Sequence, residues 1–275
     1  MSINKFCIYC CFLVIFISCS STKRTTNPIS SNTNNTSLSY FNSIKILGNV
    51  TLFYFQSQGK PSIEINSKDA ADIIANVNNK ELSIIRVGSG GKAKDILIKV
   101  NGPAIHNLDV TGESAIQTGN IHTSSSINID MNGNGQINCG KIKGKNIRIS
   151  MVRNGNIKVE EAISQQLHVV TADEGNITIN GISTAETHIK QVGNNAIELR
   201  GTSKSSVFLC FSDGKLNAQN LKSERLDAEL AGKGFINCHA TRTLNAKVTG
   251  EGIIRYKGTP TLINNSFDKK RVKKF

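Results

Sequence analysis

Between Asn107 and Thr261 the apolar positions recur with two nested periods. Within each short run they alternate with polar residues, the period of a strand with one face buried. Between runs the pattern returns about every twenty residues, anchored on Ile116, Ile137, Ile157, Ile177, Ile197, Leu216, Ile236 and Ile254, at spacings of 21, 20, 20, 20, 19, 20 and 18. A second column lies six residues upstream: Val110, Met131, Met151, Thr171, Gln191, Cys210, Leu230 and Val248. A third lies two further back, from Leu108 and Ile129 through Phe208 to Ala228 and Ala246. One such unit cannot bury its apolar side alone, whereas stacked units share a continuous core. No helical periodicity intervenes. The pattern predicts an all-β chain: a parallel β-helix, or solenoid, of about eight rungs of 18–21 residues. At ~4.8 Å per rung the rod would be roughly 38 Å long.

The corners agree with this. Gly112, Gly133, Gly175, Gly193 and Gly250 stand where tight turns are required, and Asn154, Asn156, Asn176 and Asn195 suit left-handed turns or amide ladders. Gly-x-Gly at Gly133, Gly232 and Gly250 is therefore a corner of the repeat, not a phosphate loop. The competing arrangement is an antiparallel meander of hairpins, which Asn-Gly pairs would also suit. The constant period and unchanged inward order favour the coil.

The flanks divide the chain further. Residues 1–18 carry Lys5 and then the apolar run Phe6 to Ile17, too short for a membrane span but apt for a signal peptide. It closes on Phe16-Ile-Ser-Cys19, which resembles a bacterial lipobox although Phe16 stands where that pattern prefers Leu. The resemblance implies lipid attachment at Cys19 and anchoring to a membrane. Residues 19–37 are rich in Ser, Thr and Asn and read as a flexible tether. Residues 38–106 alternate as strands off the repeat, with a short helical turn expected across Asp69 to Asn76, and read as a β-rich N-terminal cap over the open ladder edge. It forms one continuous domain with the repeats at 107–266. A basic tail, 267–275, follows and reads as solvated chain.

The formal charge of +13 is concentrated at that tail, in Lys269, Lys270, Arg271, Lys273 and Lys274. In an exported protein this points to an anionic envelope partner rather than to nucleic acid. Aromatic residues make up 5% and Trp is absent, as thin aliphatic rungs require. Of seven cysteines, Cys7, Cys10 and Cys11 fall in the leader, and Cys139, Cys210 and Cys238 are expected as buried free thiols. Cys139 and Cys238 are five rungs apart, beyond disulfide reach.

Candidate chemistry is sparse. His168 and His188 share an outward column with Asn128 and Arg148 at twenty-residue spacing, so the imidazoles should stack about 5 Å apart. They are a two-ligand metal candidate without an evident third ligand, or simply a titrating surface pair. The carboxylates Asp173, Glu174, Asp213, Glu229 and Glu251 are scattered over different rungs, and Glu160 and Glu161 are adjacent and so point apart. Glycoside chemistry needs such groups clustered in a cleft. No nucleophilic triad, phosphate loop or dinucleotide motif is present, and no cofactor is expected.

Phe41-Asn-Ser-Ile-Lys-Ile, Gly48-Asn-Val, the recurring Gly-x-Ile turns and the closing Gly250-Glu-Gly-Ile-Ile-Arg-Tyr-Lys-Gly-Thr-Pro together resemble the family called putative auto-transporter adhesin, head GIN domain, from about Tyr40 to Ser266. The resemblance implies a β-helical exported protein, often an outer-membrane lipoprotein of the Bacteroidetes type, with no catalytic residues. Arg153-Asn154 and Gln191-Val192-Gly193 depart from the family's small Ser-Gly turns. The leading expectation is a lipid-anchored, non-enzymatic envelope protein that presents a rigid rod for adhesion or scaffolding, with a surface glycan or envelope protein as partner. The alternatives are a carbohydrate-active β-helix enzyme (a polysaccharide lyase or glycosidase) and a periplasm-facing component that responds to envelope conditions.

Overall fold

The structure, a computed structural model, describes residues 36–67, 72–87, 96–211 and 213–275. The leader 1–18, Cys19 and most of the tether lie outside the described residues.

The alternating β-branched runs pair in parallel and in the register the columns require. Ile116, Ile137, Ile157, Ile177, Ile197, Leu216, Ile236 and Ile254 stand side by side through successive pairings. Ile129, Ile149, Val169, Ile189, Phe208, Ala228 and Ala246 form a second unbroken column. The chain is thus a parallel β-solenoid of about eight turns, and the repeats do not form an antiparallel meander. Each turn also carries a third inward set, seen in Ile121, Ile142, Ala162 and Ile182. From Asn156–Ala172 to Phe235–Thr249 the strands run 15–17 residues, continuing round corners from one side of the coil to the next.

The N-terminal segment is part of this ladder. Ser43–Leu47 and Thr51–Gln56 pair in parallel with the first repeat, so that Ile44 meets Leu108 and Leu52 meets Ile116. The chain then turns outward. Glu81–Arg86 and Ile96–Gly102 add a further parallel layer on the far side of those strands. That layer is in turn paired antiparallel by Ser62–Ser67 and Ile73–Asn78. Reversed pairing ends the parallel ladder at this edge, which restrains edge-to-edge association. Ile73–Asn78 is a strand with Ile73 buried, not the helical turn expected there; its Ile-x-Ala-x-Val positions face the core layer, and strand pairing overrides a weak local helical preference. Residues 69–71 of that expectation lie outside the described set.

At the other end Thr261–Asn264 pairs with Thr243 to Ala246, and Val272–Lys274 pairs with Ile254 to Tyr256. The basic tail is therefore a folded final layer, not solvated chain. A short 3-10 turn at Lys269–Arg271, capped by the Asp268 side chain, brings Val272 into a buried position.

Among the described residues the interior is mostly aliphatic, with polar interruptions of which two are groups of several side chains. Thr187 and Ser206 replace the branched residues of their column, which elsewhere holds Ile147, Leu167 and Leu226. Their hydroxyls pair inside the coil: Thr187 with Thr184 at 2.8 Å and with Ser203 at 3.1 Å, and Ser206 with Ser223 at 2.8 Å. Thr171, Gln191 and Asn195 form the second group, with the Thr171 hydroxyl and the Gln191 amide both donating to the Asn195 side-chain oxygen, at 2.8 and 2.7 Å. Burial of such groups is tolerable only with partners of this kind.

Candidate functional site

Parallel register at constant spacing turns each outward sequence position into a straight surface column. One column runs Ser43, Asn107, Asn128, Arg148, His168, His188, Val207, Asp227 and Asn245. The imidazoles of His168 and His188 stack with ring centroids 4.8 Å apart and planes 10° from parallel. His188 Nε2 lies 3.6 Å from the Glu186 carboxylate, which also accepts from the Gln166 amide at 3.0 Å. Burial holds the His168 pKa below its ordinary value, and the neighbouring His188 and Arg148 push the same way against Glu186. Among the described residues no group of three or more His, Cys, Asp and Glu side chains is placed to hold a metal ion. The two imidazoles can donate or accept hydrogen bonds at the surface.

Amide stacking is present where the columns bring Asn above Asn. Asn176 donates to Asn156 at 2.8 Å, and Asn128 donates to Asn107 at 2.8 Å. Several of the carboxylates are paired with cations of their own. Glu161 pairs with Lys141 at 2.9 Å, Glu229 with Lys247 at 2.8 Å and Glu251 with Lys233 at 3.5 Å. Glu160 takes Lys158 and Asn180, and these bonds, Lys158 first, hold its carboxyl below the usual range.

The five tail cations are brought together in the last layer. Lys273 stands beside Arg255 and Lys274 beside Tyr256. Arg271 pairs with Asp268 at 3.4 Å and donates to the Glu251 carbonyl, while Lys269 donates to the Asn264 carbonyl. Lys257 lies 5.6 Å from the centre of the Phe275 ring. Cys139, Cys210 and Cys238 are buried free thiols, as expected.

One surface feature escaped the sequence reading. Near the C-terminal end the outer face carries a depression of about 230 Å³ lined by Leu209, Asp227, Glu229, Asn245 and Lys247. The available signal was that 227 and 229, and likewise 245 and 247, stand two apart and so share an outward face.

Comparison with known proteins fits this architecture. The family model described as putative auto-transporter adhesin, head GIN domain, matches residues 40–166 and 155–260. Comparison with curated proteins gives no match. Among solved structures, a putative lipid binding protein from Parabacteroides distasonis is similar at a TM-score of 0.65 and 20% identity, over 91% of this chain and 98% of that one. A putative adhesin from the same organism is similar at a TM-score of 0.64 and 21% identity, over 89% and 96% of the two chains. A putative adhesin from Parabacteroides merdae follows at 0.55 and 20%, over 89% and 95%. At these identities the structures share the fold. By the family model, matched over most of its length, this chain belongs to the putative auto-transporter adhesin, head GIN domain family.

Proposed function

We propose that the protein is a cell-envelope lipoprotein, held to the outer membrane through Cys19, whose solenoid is a rigid, non-catalytic rod for adhesion or scaffolding. The observation that carries this is the unbroken parallel pairing from Ser43 to Lys274, which sets outward side chains in columns across successive rungs. A multi-rung surface of this kind is ordered before any partner arrives, so little conformational entropy is lost on contact. The dispersal of the acids, with Glu161, Glu229 and Glu251 each held by a separate lysine, is the wrong arrangement for paired-carboxylate hydrolysis. Two of the similar structures carry the name putative adhesin, which supports the same reading. The final layer, with Lys269, Lys270, Arg271, Lys273 and Lys274, offers a contact for an anionic envelope partner.

Protease access to the rod on intact cells, with lysed cells as control and a Cys19→Ala variant beside them, tests this. Cleavage on intact cells and soluble release of the variant are the expected results. Protection until lysis would remove adhesion in favour of a periplasmic scaffold, and unchanged membrane retention of Cys19→Ala would remove the lipid anchor.

A further inference from the structure

We infer that a groove at the C-terminal end of the rod binds a neutral oligosaccharide; the inference rests on the reading of the rod as a binding surface and names the ligand class. Two depressions meet there. One, of about 230 Å³, is bounded by Leu209, Asp227 and Glu229, and the other, of about 350 Å³, by Thr249, Phe267, Asp268 and Arg271. Lys247 and Asn265 line both, so the two lie side by side across the last rungs. Together they fall within the ~300–1,000 Å³ of small-molecule clefts.

The first depression runs between outward side chains of successive rungs, with Asp227 and Glu229 on one strand and Asn245 and Lys247 on the next, over the backbone at Ala228 and Ala246. Beyond it the chain leaves the regular coil after Asn264 and loops out before returning as Val272–Lys274. That loop is pinned. The Asn265 amide donates to the Ala246 carbonyl at 2.8 Å, and the buried Ser266 hydroxyl accepts from the Val248 amide at 2.9 Å. Between these anchors and the Asp268-capped turn, Phe267 is held fully exposed, at 104% relative accessibility. A water-facing aromatic ring on a pinned loop beside a polar groove is a stacking platform for an apolar face that carries hydroxyls on its rim.

The polar lining fits hydroxyls better than a charged ligand. Carboxylates from Asp227, Glu229 and Asp268 accept, Lys247 and Arg271 donate, and Asn245 does both. The opposite charges are already matched within the groove: Glu229 with Lys247 at 2.8 Å and Asp268 with Arg271 at 3.4 Å, while Asn245 donates to Asp227 at 2.5 Å. With two ion pairs closed, one carboxylate in excess and lone pairs remaining, the lining can exchange hydrogen bonds with vicinal hydroxyls. A pyranose chain supplies them together with the C–H face that Phe267 requires.

The test uses the soluble Cys19→Ala protein and calorimetric titration with maltohexaose, cellohexaose, xylohexaose and mannohexaose, with chondroitin sulfate as anionic comparator. At least one neutral hexasaccharide should bind. Phe267→Ala and Glu229→Gln should each weaken it about tenfold, the loss expected for one aromatic contact or one charged hydrogen bond. Lys158→Ala, on another side of the coil, should leave binding unchanged. Phe267 is exposed, so its variant keeps the β circular dichroism spectrum and a loss of binding is not a loss of fold. Binding of none of the four sugars, stronger binding of chondroitin sulfate, or equal binding by the variants would overturn the inference. So would self-association abolished by Phe267→Ala without sugar binding, which would assign the groove to a second copy. The failures are separable: a rod exposed on cells whose groove binds no sugar removes only the groove, whereas a rod hidden from the surface removes adhesion and leaves sugar binding measurable on purified protein.

Discussion

His168 and His188 stack ring on ring at 4.8 Å on adjacent rungs, with Glu186 only 3.6 Å from the second ring. Protonating both would set like charges at rung spacing beside Arg148, and the His168 pKa is lowered by burial first and by these neighbours next. A histidine whose folded pKa is depressed binds fewer protons folded than unfolded, so stability rises with pH through that window. The contribution is present above the unfolded value near 6.5 and is lost as pH falls through the folded value. The melting temperature should therefore drop between pH 7 and pH 5 more in the natural protein than in His168→Gln. An equal drop in both would show that the stack does not titrate as described.

The stack was legible because a strict period of twenty residues places positions 168 and 188 one above the other. The same arithmetic identified the core columns and favoured the coil over a hairpin meander, which the parallel pairing then removed. It failed where insertion breaks the period. Ile44, Ile46, Leu52 and Tyr54 keep the offsets of Leu108, Val110, Ile116 and Thr118, yet a capping insertion, part parallel and part antiparallel, separates them from the next rung. Val272 was hidden for another reason: one apolar residue among five cations has no visible alternation, although it is enough to dock a strand of three residues. The groove was missed because its lining is assembled from several rungs and the loop after Asn264, which no single stretch of sequence brings together.

Stacked corners leave little room for a side chain. A Cβ on Gly193 would lie 2.1 Å from the Asp173 carbonyl oxygen, at a φ of +94°. Gly193→Ala should lower stability by about 2–4 kcal/mol, combining backbone strain with overlap against a rigid neighbour. Arg153 occupies the equivalent corner forty residues earlier with a φ of 76°. Arg153→Gly should gain about 1 kcal/mol by relieving the left-handed strain. Urea unfolding midpoints shifting in opposite directions would bear out the pair of predictions, and a neutral Gly193→Ala would refute the steric account.

Burial raises the thiol pKa of Cys139 to about 11 and those of Cys210 and Cys238 to about 12. The thiolate is the reactive form, and all three are enclosed by the coil. A protein beginning at Ser20 should give almost no reaction with Ellman's reagent at pH 8 when native. In urea it should release three equivalents, one from each of these cysteines. Rapid native reaction at any one of them would reveal local opening of its rung.

The tail separates charge from fold. Val272 is buried at 8% exposure, and the Phe275 amide donates to the Tyr256 carbonyl at 3.0 Å, so the basic segment covers the edge left by Ile253–Lys257. Deleting residues 268–275 removes that cover and exposes Ile254 with a row of unpaired backbone groups. Loss of one buried valine is worth about 1.5–3 kcal/mol. For a domain of this size that corresponds to a melting temperature lower by about 3–12 °C, accompanied by concentration-dependent light scattering as free edges associate. Replacing Lys269, Lys270, Lys273 and Lys274 by Gln keeps Val272 and the backbone pairing, so the melting temperature should move by only about 1–2 °C. The same variant should lose binding to vesicles containing phosphatidylglycerol if the cations serve as an anionic contact. If deletion leaves melting and scattering unchanged, the tail has no capping role; if the Gln variant melts as early as the deletion, the lysines themselves stabilise the layer.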